Sequence, residues 1–139
     1  MCLNPVDGMR TRLSLERLLL IAEARFGVPY EELEGAVCVF RAETALAAPF
    51  VRLHGALLFP DPVEQAAICA YQLIRTQPFP FGSRLIGYEA MREMLLLGER
   101  HWFRQEETAE DVDGFLRRAE VGEVGLAEFV RWVQERVKA

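Results

Sequence analysis

Three consecutive residues, Gly82, Ser83 and Arg84, combine the groups needed to hold a small anion. A glycine lets an anion approach the backbone, a hydroxyl and a guanidinium supply donors, and a helix start adds unpaired N–H groups and the positive end of its dipole. Glycine, serine and arginine open many helices that bind nothing, so this trio sets an expectation only in a wider context. Other reactive side chains are sparse. His54 and His101 are the only histidines. One falls at a turn, where solvation is the ordinary fate, and the other adjoins Trp102 as a packing residue. Cys2, Cys38 and Cys69 are odd in number and lack metal-ligand spacing, which argues against a disulfide framework or a zinc site. Cys38 and Cys69 read as small buried hydrophobes on helical stripes. The acidic group Glu106, Glu107, Glu110 and Asp111 fits a helix N-terminus better than a metal site. No Ser-His-Asp or Cys-His arrangement follows from spacing.

The elements that position these residues read as helices. Ser14 is placed to cap a first helix, with Leu13 packing on Leu18, and Gly27 before Pro29 ends it. A second helical region is expected over 30–48, with Leu33, Val37, Phe40 and Leu46 inward. The stretch FVRLHGALLFP, residues 50–60, has the composition of a short hairpin or flap turning at His54-Gly55. Asp61 and Pro62 then announce a helix over 63–76, rich in small residues and expected at the centre of the fold. After the break TQPFPFG, a helix over 83–97 presents Ile86, Ala90, Met94 and Leu97 to one side. A turn through His101, Trp102 and Phe103 leads to a helix capped by Thr108. A glycine-bearing turn precedes a final helix with Leu126, Phe129, Val130 and Val133 inward. The sum is a single all-α domain over residues 1–139, a bundle of about six helices with one short β-hairpin.

The chain's 139 residues suffice for one compact core. Its formal net charge of −5 argues against nonspecific nucleic-acid or anionic-membrane partners. No apolar run reaches the ~20 residues of a membrane span, and the first residues lack a signal-peptide core. A cytoplasmic protein is expected.

Three stretches resemble the death-on-curing branch of the Fic/Doc family: FVRLHGALLFPDPVEQAAICAYQLIRTQPF, QPFPFGSRLIGYEAMREMLLLGER and DVDGFLRRAEVGEVGLAEFVRWVQE. They are similar to the family's flap and central helix, its motif loop with the following helix, and its closing pair of helices. The resemblance implies ATP and magnesium as cofactors, transfer of AMP or phosphate to a protein side chain, and a flap, here Val51, Arg52, Leu53, His54 and Gly55, that docks the target. The family motif runs roughly His-Pro-Phe-x-Asp-Gly-Asn-Lys/Gly-Arg. Aligned without gaps, this sequence keeps Pro78, Phe79 and Gly82. It places Gln77 at the catalytic base, Phe81 at the magnesium-holding acid, Ser83 at the asparagine, Arg84 at the Lys/Gly position and Leu85 at the phosphate-gripping arginine.

Each departure removes a chemical function. Glutamine has no proton affinity near neutral pH, and a lost general base lowers rates by about 10²–10⁴-fold. Phe81 offers no oxygen to a hard cation, and Leu85 cannot grip phosphate. The expectation is therefore an inactive family scaffold with no cofactor or metal, acting by binding. Its partner would be an antitoxin-like helix, a second copy or a former target docked at the flap, within a toxin-antitoxin type of system. Two alternatives stand beside it. One is a phosphotransferase or AMP-transferase of altered mechanism; the other is a small-anion sensor built on Gly82, Ser83 and Arg84.

Overall fold

The computed structural model describes residues 10–103 and 107–138; Cys2 and Glu106 lie outside these residues. Seven α-helices and two small antiparallel strand pairs make up the described chain. Helix α1, Leu15–Phe26, begins at Ser14, whose Oγ accepts the Arg17 N–H, and stops at Gly27 in the left-handed region. Of the apolar face expected at Leu15, Leu18, Leu19 and Ala22, the last three are buried and Leu15 is half-buried, while Leu13 is buried ahead of the helix.

The 30–48 region departs from expectation in two ways. It is two helices, α2 (Tyr30–Ala36) and α3 (Val39–Ala47), separated by extended backbone at Val37 and Cys38. The break serves the fold, because the Cys38 N–H is freed to donate to the Pro78 carbonyl at 2.7 Å. It also resets the helical phase, so Phe40 is 79% exposed rather than inward, and Cys38 is exposed while Cys69 is buried. Burial pushes the Cys69 thiol up to about 12, leaving it an inert packing group.

A short 3₁₀ turn, Ala48–Phe50, leads into the expected hairpin of β1 (Arg52–Leu53) and β2 (Ala56–Leu57). His54 and Gly55 both take positive φ, the backbone pattern of a two-residue hairpin turn. Helix α4, Pro62–Thr76, is capped by Asp61, which accepts the Val63 N–H. Its buried face is dominated by Ala66, Ala67, Cys69 and Ala70. Helix α5, Ser83–Leu97, lies against it. The two are antiparallel neighbours, since Gly87 meets Ala70 and Ile74 while Gly98, past the end of α5, meets Pro62 at the start of α4. Leu97, expected inward, is exposed.

Helices α6 (Ala109–Glu120) and α7 (Leu126–Gln134) close the bundle. Thr108 and Asp111 form a reciprocal capping box at the start of α6. Gln65, buried on α4, accepts from the Thr11 hydroxyl and donates to the Phe59 carbonyl, tying the chain start and the hairpin base to the central helix. The expected turn at His101-Trp102 is instead β3 (His101–Trp102), paired with β4 (Val137–Lys138). Trp102 thereby joins an aromatic cluster in which Phe115 stacks on Trp132 with centroids 4.2 Å apart.

A Cβ at Gly87 would stand 3.2 Å from the Ala70 carbonyl oxygen and 3.2 Å from Ile74 Cγ1, whereas one at Gly114 in α6 would meet nothing within 4 Å. Gly87→Val should therefore lower stability by about 1–3 kcal/mol through overpacking. Gly114→Ala should raise it by about 0.5–1 kcal/mol through helix propensity. Urea unfolding of the two variants checks both signs.

Candidate functional site

The loop between α4 and α5 is closed by its own polar groups. Gln77 ends α4 in the left-handed conformation, its N–H donating to Leu73 O. Its side-chain amide donates to Ile74 O at 2.7 Å and to Glu120 Oε2 at 3.2 Å. Gln77 is thus a helix cap. Pro78 and Phe79 are buried and pin the loop, Pro78 through the bond from Cys38 and Phe79 through its ring in the core. Ser83 is 1% exposed. Its hydroxyl accepts the Phe79 N–H at 3.1 Å and donates to Phe79 O at 3.3 Å, which staples the loop across four residues.

Gly82 begins α5 with φ of 69°, and a Cβ there would fall 2.3 Å from Phe26 Cζ. Only glycine fits, because the Phe26 ring of α1 lies directly over this backbone. Phe81 meets that ring edge to face, with centroids 5.3 Å apart. The aromatic pair packs beside the helix start, with Phe81 still 41% exposed.

Arg84 points to α6. Its Nε donates to Asp113 Oδ1 at 2.9 Å, and its terminal nitrogen lies 3.3 Å from both Glu120 oxygens. Arg117, one turn after Asp113, donates to the other Asp113 oxygen at 2.7 Å. Arg75 of α4 completes the arrangement by donating to the Glu120 carbonyl at 2.9 Å. Hydrogen bonds from Arg117 and then Arg84 hold the Asp113 carboxyl below its ordinary range, against an opposing effect of burial.

The expected anion residues Gly82, Ser83 and Arg84 do come together, but their side-chain donors are engaged by Phe79 O, Asp113 and Glu120. Two carboxylates beside Arg84 make the spot unfavourable to a further negative charge. Leu85 faces a cleft of about 370 Å³ between α5 and α6, shared with Tyr88, Val112 and Leu116. The flap residues Val51, Arg52, Leu53, His54 and Gly55 are all exposed, and the Arg52 guanidinium donates to Gly55 O within the hairpin. His101 is exposed on β3, and Glu107 pairs with Arg136 rather than with other acids. Among the described residues, no group of three His, Cys, Asp or Glu side chains gathers as metal ligands would.

Asp113, Glu120, Arg117 and Phe26 were not singled out from the sequence. The spacing of 113, 117 and 120 places three charges on one face of a helix, a signal that some partner lies opposite. Nothing local names Arg84 as that partner. Comparison with family models, with curated proteins and with solved structures finds no match.

The depressed Asp113 carboxyl has a pH signature. A carboxylate whose folded-state pKa is lowered stabilises the fold above its unfolded pKa, ordinarily 3.8, and loses that contribution as pH falls through the folded value. Wild type should therefore be more stable than Asp113→Asn at pH 7. The gap should narrow steadily once pH drops below about 4. Thermal melts of the two proteins across that range check it; a gap independent of pH would contradict the assignment.

Proposed function

We propose that this chain is a death-on-curing-like member of the Fic/Doc family that has lost transferase chemistry and acts in the cytoplasm as a binding module, in a toxin-antitoxin type of system. One observation carries the reading: the motif loop's polar side chains are turned inward as structural bonds. Gln77 caps α4, Ser83 staples the loop and Arg84 joins α5 to α6. A family enzyme would leave a base, an acid and a phosphate-gripping arginine facing a substrate. Here those three positions hold an amide, a phenyl ring and an isobutyl group.

What is left for function is surface. The hairpin carries exposed Val51, Leu53 and Leu58 at the edge of a two-stranded sheet. An extended segment of a partner has free backbone groups to pair with there. Binding of this kind needs no catalytic residue.

Incubation with ATP labelled at the α- or γ-phosphate, with magnesium and a lysate, should leave no label on any protein above background. Label on a co-purifying protein, lost in Gln77→Ala, would sink the reading in favour of a transferase of altered mechanism. The combined change Gln77→His, Phe81→Asp and Leu85→Arg should raise ATP affinity measured by calorimetry at least tenfold if the loop descends from a nucleotide site. No gain would remove the family ancestry from the account.

A further inference from the structure

The cleft of about 370 Å³ between α5 and α6 is bordered from a third side by Arg25 of α1. Small-molecule sites commonly occupy about 300–1,000 Å³, so this one has room for a single compact ligand. Its apolar wall is set deep. Val112 and Leu116 of α6 are 4% and 1% exposed, and half-buried Leu85 and Tyr88 line the cleft from α5. The Tyr88 ring is held in place edge to face with Trp102, with centroids 5.7 Å apart.

The charged side chains of the lining are three arginines and two carboxylates. Three of these are taken up by one another: Asp113 accepts from Arg84 on one oxygen and from Arg117 on the other. The two that remain are Arg25 and Glu89. Glu89 is half-buried, yet among the described residues no donor reaches its carboxylate and no cation pairs with it. Buried and partly buried polar groups ordinarily have such a partner. Arg25 is exposed and has no carboxylate partner among the described residues; its guanidinium lies over the Phe26 ring, 5.4 Å from the centroid. The two do not pair with each other, although both border the same cleft. Arg92 borders only the neighbouring hollow, where its guanidinium lies over the Tyr88 ring and Arg17 is paired with Glu93. One acid and one base without counter-charges thus flank a single apolar pocket.

We propose that this cleft binds a free apolar α-amino acid as its zwitterion. Glu89 takes the ammonium, Arg25 takes the carboxylate, and a leucine- or phenylalanine-sized side chain lies among Leu85, Tyr88, Val112 and Leu116. The two charges select the class. A simple anion would meet Glu89 and Asp113 as like charge, and a simple cation would meet Arg25 beside Arg84 and Arg117. An uncharged apolar ligand would take water from Glu89 and give it no donor in return. A zwitterion supplies both missing partners and leaves the charge of the site unchanged. Glycine would supply the charges but leave the deep apolar wall unfilled. The site uses no group of the Gln77–Leu85 motif loop beyond the Leu85 side chain, and it stands independently of the family reading above.

The test is an amide-shift titration of the full chain with L-leucine and L-phenylalanine. Signals around Leu85, Tyr88, Val112 and Leu116 should move and saturate in the millimolar range or below. Three controls dissect the ligand: phenylpropionate lacks the ammonium, phenethylamine lacks the carboxylate, and glycine lacks the side chain. Each should bind at least tenfold more weakly than L-phenylalanine. Two variants dissect the site. Glu89→Gln should weaken L-phenylalanine at least tenfold without weakening phenylpropionate, and Arg25→Gln should weaken it as much without weakening phenethylamine. Thermal melts should show both variants folded as the wild type is. No saturation by about 10 mM amino acid, equal binding of the three phenyl compounds, or shifts confined to residues away from the cleft would each overturn the proposal. So would undiminished binding of L-phenylalanine by both variants.

Discussion

A carbonyl oxygen of α4, that of Ala70, lies 3.2 Å from where a side chain on Gly87 of α5 would begin, so the two central helices meet with almost no side chain between them. Ala66, Ala67 and Ala70 on one helix and Gly87 and Ala90 on the other make that approach possible, and all are buried. The remaining elements pack around this pair. Helices α3 and α7 pack on α4, α1 packs on α5, and α6 touches both. Two helices held this close also force the chain between them to turn within six residues. That turn must then satisfy its own polar groups out of reach of regular helix bonds.

The loop's chemistry follows from this constraint. Left-handed backbone at Gln77 and Gly82 brackets the turn, and Gln77 and Ser83 supply the hydrogen bonds that the backbone lacks. Arg84 extends the closure to α6, where Asp113 and Glu120 meet it across 29 and 36 residues of chain. Leaving any of these partly buried partners unmatched would cost on the order of 1–3 kcal/mol. The same side chains serve poorly as catalysts for the reason that they serve well as fasteners: each is already bonded. The aromatic contact of Phe26 with Phe81 over Gly82 adds a steric term to the electrostatic one.

Local grammar made the helices legible. Ser14, Asp61 and Thr108 cap where their types and neighbours predict, Gly27 ends α1, and α5 covers Ser83–Leu97 as read. The hairpin turn at His54-Gly55 was equally local. What escaped was set by distant residues. The break at Val37-Cys38 exists because Pro78 needs a donor. That break splits the expected second helix in two and makes seven helices of the six expected. The strand at His101-Trp102 exists because Val137 and Lys138 return to pair with it, which adds a second β element. At the candidate site, the residue types Gln77, Phe81 and Leu85 were visible. That Ser83 would turn inward and Arg84 be claimed by α6 was not, since neither partner is recorded in the loop itself.

The start of α5 is closed by Phe26, Ser83 and the Arg84 bonds, while farther along the helix Leu96 is exposed and the Arg92 guanidinium lies over the Tyr88 ring. At the α5 start the side chains that could reach a ligand are bonded within the protein instead. The most direct measurement is the backbone amide spectrum of Gly82, Ser83 and Arg84 during titration with ATP and magnesium. The account predicts no saturable movement of these three signals at millimolar nucleotide. Movement that saturates in the micromolar range and requires magnesium would contradict it.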